Sequence, residues 1–96
     1  MYLTNVVCSA HLGCTLHLRE LYTQLDTTRY DPSRFPGLIW PHKTIKGNCL
    51  LFSNGKMQCQ GKAQTLEEGI QRLRKYAGEL QKLGLAVKLK EIKVVT

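Results

Sequence analysis

Residues 50–61 read LLFSNGKMQCQG, and their reading decides the fold. Asn54-Gly55 between two runs of alternating apolar character is the strongest short-range signal of a β-hairpin. Cys49–Ser53 is predicted as one strand and Met57–Gly61 as the next. Side chains alternate along a strand, so if Leu51 faces the core, Leu50 and Phe52 face away from it. A sheet with Leu and Phe on its outer face is either covered by another layer or left open for a partner.

Outward from the hairpin, the other elements follow from pattern. Residues 3–11, LTNVVCSAH, are a β-branched run bounded by Gly13 and read as a strand. Residues 15–26 place Leu18, Leu21, Tyr22 and Leu25 on one helical face, with Thr15 as the candidate cap. Asp31, Pro32 and Pro36 mark residues 27–36 as a loop. Leu38 to His42 is a short strand, and Ile45-Lys46-Gly47-Asn48 turns the chain into the hairpin. Thr65 with Glu68 three residues on forms a capping box that starts the longest helix. Leu66, Ile70, Leu73, Ala77 and Leu80 make its expected buried stripe. Lys82 lies in its last turn and Gly84 at its C-terminal cap. Residues 86–95, AVKLKEIKVV, alternate apolar and basic and read as a final strand.

The order β-α-β-β-β-α-β predicts an α+β fold: a five-stranded antiparallel sheet with two amphipathic helices on one face only. Alternation then lines the uncovered face with Asn5, Val7, Ser9, Leu50, Phe52, Gln58 and Gln60. Such a flat, uncharged surface with one aromatic is neither an ordinary solvated face nor an ordinary core.

Length and charge bound the function. The chain has 96 residues, expected to form one domain over 1–96, with 14 Lys+Arg against 7 Asp+Glu. A net charge of +7 favours anionic partners, nucleic acid foremost; a basic surface with no such role is the plainer reading. The basic residues are spread along the chain, so binding is expected to use a folded surface rather than a tail. No run of 18 apolar residues is present, and Met-Tyr-Leu-Thr does not read as a signal peptide. Cys8, Cys14, Cys49 and Cys59 form no C-x-x-C pair, and His11, His17 and His42 do not complete a zinc-binding spacing. The cysteines read as structural thiols of a reducing compartment. No paired carboxylates and no Ser or Cys catalytic arrangement appear, so neither enzymatic activity nor a cofactor is expected.

The motifs NVVCSAHLGCTLHL, RYDPSRFPGLIW, LLFSNGKMQCQG and RKYAGELQKLG resemble, in order and spacing, one repeat of the TATA-box-binding protein family. The resemblance covers residues 3–96. Proteins of that family carry two such repeats, which form a curved, saddle-shaped sheet on the DNA minor groove, with the helices on the convex side. The resemblance implies that Phe35 and Phe52 wedge into a base step and lie together on the concave side. It implies that Asn5 and Val7 reach base edges and that Leu50 flanks the wedge. Ser53, Asn54 and Lys56 of the turn would then contact the DNA backbone. Minor-groove architectural proteins use apolar wedges of this kind, and unstacking a step costs about a few kcal/mol, offset by contacts to the bent duplex.

Two departures stand out. Gln58 and Gln60 replace a valine and a threonine of the family pattern on the DNA-facing side. Glutamine hydrogen-bonds adenine N3 or thymine O2 but costs more to desolvate. Pro41, beside Trp40, replaces an expected basic residue.

Arg72, Arg74, Lys75 and Lys82 read as a solvated basic helix face; in the family the matching surface meets general transcription factors. Two function classes follow: a DNA-binding transcription initiation factor acting on A·T-rich DNA, or a non-enzymatic interaction module of the same fold that binds or sequesters general transcription factors. The family's repeats meet through their first strands. A lone repeat is therefore expected to leave the edge at 3–11 open and to close it as a homodimer, the alternative being a heterodimer with another repeat protein. An intracellular location is expected, nuclear for a eukaryotic or viral protein.

Overall fold

The computed structural model describes the backbone of residues 3–95 and the side chains of 5–94. Met1, Tyr2 and Thr96, the ends of the expected 1–96 unit, lie outside the described residues. The elements run β1 (Leu3–His11), α1 (Leu18–Gln24), β2 (Leu38–Trp40), β3 (Asn48–Leu51), β4 (Lys56–Ala63), α2 (Leu66–Lys82) and β5 (Lys90–Val95). All five strands join one antiparallel sheet in the order β2-β3-β4-β1-β5.

The hairpin closes as its sequence predicts. Phe52 N–H donates to Lys56 O (3.0 Å), and Lys56 N–H donates to Asn54 Oδ1 (3.0 Å). Gly55 takes φ +93, the left-handed position that a three-residue loop requires. A Cβ at Gly55 would also stand 2.1 Å from Cys14 O, because the turn is packed under residues 12–16.

One core lies between the sheet and the helices. Val6, Cys8, Ala10, Leu38, Trp40, Cys49, Leu51, Met57 and Cys59 point into it from the strands. Leu18 and Leu21 from α1 and Leu73, Tyr76, Ala77 and Leu80 from α2 complete it. Both helices therefore cover the same face, as the one-sided helix patterns require. Trp40 and Tyr76 meet edge to face with centroids 4.9 Å apart, and the Tyr76 hydroxyl accepts from His42 N–H and donates to Gly47 O. Cys8, Cys59 and Cys49 stand in one cross-strand row inside this core, all three as buried free thiols. Burial pushes the Cys49 thiol well up, and the neighbouring Cys59 thiol adds to the rise. Burial likewise raises Cys8 and Tyr76.

Several expectations need correction. The first helix spans Leu18–Gln24, not 15–26, and its N-cap residue is His17 with no side-chain cap bond. Leu12 N–H donates to Gly55 O and Leu16 N–H to Ser53 O, which ties residues 12–16 to the hairpin turn and keeps Thr15 out of the helix. Tyr22 is 46% exposed and stacks near Tyr30 rather than joining the core.

In α2, Leu66 is 46% exposed, and the buried face runs through Gly69, Arg72, Leu73, Tyr76, Ala77 and Leu80. A Cβ at Gly69 would stand 2.5 Å from Val6 Cγ1, so its absence lets this side of the helix seat directly on β1. The expected caps hold: Thr65 accepts from Glu68 N–H, Glu68 accepts from Gln64 N–H, and Gly84 follows the helix at φ +91.

The last strand begins at Lys90, not at 86. Val87 is buried, and Lys88 N–H donates to Leu12 O, so this segment plugs the core before β5 starts.

The expected open edge at 3–11 is not open. β5 pairs β1 through Val7↔Val95, Cys8↔Val94, Ser9↔Lys93 and His11↔Lys90, while β4 holds the other side. A homodimer joined at β1 would have to break this pairing in both copies to gain one new ladder. The edge that the sheet leaves unpaired on this side, among the described residues, belongs to β5.

Candidate nucleic-acid interface

The face opposite the helices is built by alternation. Val7, Ser9, Leu50, Phe52, Gln58 and Gln60 are half-buried, alternating along their strands with residues buried in the core, and Asn5 is exposed. Cross-strand pairing places them side by side: Leu50 opposite Gln58, Gln58 opposite Ser9, and Gln60 opposite Val7. Directly opposed residues share a face and touch, so these form a continuous polar-apolar surface.

Two residues of this surface escaped the sequence reading. Ile39 opposes Leu50, and Asn48 opposes Gln60. Alternation along β2 and β3 carries both to the open side: two positions back from Leu50 is Asn48, and one position on from the core residue Leu38 is Ile39.

Phe35 and Phe52 come together at one end of this face. Their rings meet edge to face at a centroid distance of 5.8 Å, and both are half-buried. Phe35 is placed by a tight turn in which Arg34 N–H and Phe35 N–H donate to Asp31 O, while Ser33 bonds Asp31 Oδ1. Phe52 is placed by the hairpin. Gly37, another residue that the sequence reading missed as part of the site, lies between them and is buried. A Cβ there would stand 2.7 Å from Phe35 Cε2 and 3.0 Å from Phe52 Cε1. The outer side of β2 is closed by a two-way backbone bridge between Arg29 and Ile39, which fixes the strand beneath the rings.

Ser53, Asn54 and Lys56 are exposed at the hairpin. The strand positions of the open face carry amides, hydroxyls, apolar groups and lysine, and Glu91 of β5 shares a cleft with Ser9, Asn54 and Lys56. Chemically, such a face suits a flat, apolar-edged polyanion: amides for hydrogen-bond acceptors, a paired aromatic wedge, and cations at the margin.

The opposite side carries the basic helix. Arg74, Lys75 and Lys82 are exposed, with Lys82 paired to Glu79 at 3.3 Å. Arg72 is the exception and corrects the expected four-residue docking face. It is 4% exposed, and its Nη2 donates to Lys62 O at 2.6 Å. Its guanidinium runs past Gly47 and Gly61, where any Cβ would stand 3.3 Å from Nε or 3.2 Å from Nη1. Two glycines thus make room for an internal arginine that ties α2 to the end of β4.

Comparison with known proteins agrees with this architecture. The family described as "Transcription factor TFIID (or TATA-binding protein, TBP)" matches residues 1–83. The TATA-box-binding protein of Acetabularia peniculus is 40% identical over 96% of the chain and 48% of its own length. The TATA box-binding protein-like 2 of Mus musculus is 39% identical over 96% of the chain and 26% of its own length. The solved structure of Methanococcus jannaschii TBP superposes with a TM-score of 0.75 at 32% identity, covering 95% of the chain and 51% of that protein. The chain therefore spans about half or less of the length of these relatives. With the family profile matching most of its length and the sheet order and site geometry in place, the chain belongs to the TATA-binding protein family.

Proposed function

We propose that the open face binds double-stranded DNA along an A·T-rich minor groove and bends it, as part of transcription initiation. The observation that carries this reading is the Phe35–Phe52 pair, half-exposed on a nearly uncharged sheet face that no helix covers. The two rings wedge a base step. Asn5, Val7, Leu50, Gln58 and Gln60 meet the floor of the groove, where the acceptors distinguish A·T from G·C. Ser53, Asn54 and Lys56 meet the backbone. The role is that of a non-enzymatic factor inside the cell, in the nucleus of a eukaryotic host. Arg74, Lys75 and Lys82 form the surface for general transcription factors.

A full saddle takes two halves. We assign the second half to another copy of the chain, joined at the free edge of β5 rather than at β1. Light scattering then gives a mass near twice 10.9 kDa at high protein concentration; a strictly monomeric protein overturns this assignment.

The DNA reading is tested with a fluorescent duplex labelled at both ends. The expected result is tight binding with end-to-end shortening on an A·T-rich duplex and weak, unbent binding on a G·C-rich one. Equal affinity for the two without bending, or no binding, overturns it. Retention of a general transcription factor by the same protein would then select the interaction-module reading.

A further inference from the structure

The row of residues across the open face runs beyond the positions named so far. Ile39 opposes Leu50, Leu50 opposes Gln58, Gln58 opposes Ser9, and Ser9 opposes Lys93. Lys93 therefore stands on the open face of β5, on the side away from the phenylalanine pair. Between Leu50 and Lys93 lie three strand spacings of about 4.8 Å, or ~14 Å, roughly four base-pair rises of a duplex. One short duplex can reach both.

A cleft of about 200 Å³ opens beside Lys93, between Ser9, His11, Asn54 and Lys56 on one side and Glu91 and Lys93 on the other. Both lysines are exposed, and neither is in an ion pair among the described residues. Glu91 takes the left-handed conformation at φ 54, in the stretch where three residues of β5 span two of β1. A bulge of this kind re-aims neighbouring side chains.

We propose that Lys93 is a further DNA-binding residue, which together with Lys56 holds a backbone phosphate of the bound duplex across this cleft. It rests on the minor-groove reading above. An ammonium group is a point charge with three donors, suited to a phosphate and indifferent to base identity. Glu91 beside it opposes the same phosphate, so the two residues act with opposite sign.

The test is equilibrium binding of the full chain to a duplex of about 16 base pairs with a central A·T run, at several salt concentrations. Lys93→Gln lowers the log–log salt slope by about 0.9 and weakens binding ~5- to 10-fold near 0.1 M salt. Lys93→Arg keeps the slope. Glu91→Gln strengthens binding ~2- to 5-fold, since it removes a charge that repels the phosphate. If the wild-type chain binds and Lys93→Gln leaves the slope unchanged, the lysine assignment fails and the minor-groove reading stands. The lysine assignment also fails if Glu91→Gln weakens binding. A wild-type chain without affinity for the duplex overturns both. Thermal melting of each variant serves as the fold control; if Lys93→Gln unfolds, the Lys93→Arg and Glu91→Gln results decide.

Discussion

The rings of Phe35 and Phe52 meet edge to face with centroids 5.8 Å apart, over a Gly37 that has no Cβ to hold them apart. The two phenylalanines come from different elements, a loop turn and a hairpin. Their meeting is a tertiary fact, and the glycine between them is what permits it.

Phe52→Ala is therefore expected to act on DNA and little on the fold. The ring is only half-buried, so stability falls by less than about 1.5 kcal/mol. Bending of the duplex is lost, and affinity drops by about 30-fold, the scale of a truncated hot-spot aromatic. Gly37→Ala is expected to swing both rings and reduce bending with an intact helical circular dichroism spectrum. If Phe52→Ala instead unfolds the protein, Phe52 is a core residue and the wedge is wrong.

Arg72 and its neighbours on α2 separate a structural arginine from surface cations. Arg72→Ala leaves Lys62 O without its donor and opens a void beside Gly47 and Gly61. It is expected to cost about 2–4 kcal/mol in urea denaturation. Arg72→Met fills most of the volume and also removes the Nη1 that has no hydrogen-bond partner, so its cost is about half as large. Arg74→Ala and Lys75→Ala, both exposed, stay within about 0.5 kcal/mol. Equal effects at all three positions would contradict the internal role of Arg72.

Much of this fold was legible because local signals and tertiary needs agree. Asn54 and Gly55 fixed the hairpin, and alternation around Leu51 then assigned both sheet faces. Thr65, Glu68 and Gly84 bounded α2. What was hidden depended on contacts between distant residues. Leu16 N–H is held by Ser53 O, which no window around residue 16 contains. The alternation of 86–95 reads as one strand, yet burial of Val87 takes 86–89 out of it. Gly69 carries no apolar side chain, so an apolar count gives it no weight, although it sets which side of α2 meets the sheet. The site divides the same way. Alternation is enough to put Leu50, Gln58 and Gln60 on one face, but Gly37 and Lys93 join it only through the packing of the rings and the pairing of β5 with β1.

The buried thiols set an alkaline limit on stability. Cys8, Cys49 and Tyr76 all ionise at higher pH in the folded state than in the unfolded chain, chiefly because burial disfavours their charged forms. Below the unfolded thiol range all three are neutral in both states and stability is unaffected. As pH rises through about 8.5 and beyond, the unfolded chain ionises first and the folded state loses ground. Unfolding free energy measured in reductant is expected to fall above about pH 9. Cys49→Val is expected to flatten that fall. A rise in stability over the same range would contradict the assigned direction.

Gln58 and Gln60 are the open-face residues at which the sequence resemblance implies a departure from the family pattern. They sit on adjacent open-face positions of β4, opposite Leu50 and Asn48 on one side and Ser9 and Val7 on the other. Both are half-buried before any DNA is bound, so docking must strip the water that remains on their amides. Each amide regains a partner only if an adenine N3 or thymine O2 falls within reach, and one left without a partner costs about 1–3 kcal/mol. The double change Gln58→Val with Gln60→Thr is volume-reducing and restores an apolar and a small hydroxyl side chain. It is expected to raise affinity for an A·T-rich duplex about tenfold, equivalent to ~1.4 kcal/mol. It is also expected to narrow the gap between A·T-rich and G·C-rich duplexes, because two amide readers are lost. Titration of both duplexes against wild type and the double variant measures both effects. If A·T affinity falls instead, the glutamines are well-satisfied readers, and this face recognises the groove through their hydrogen bonds.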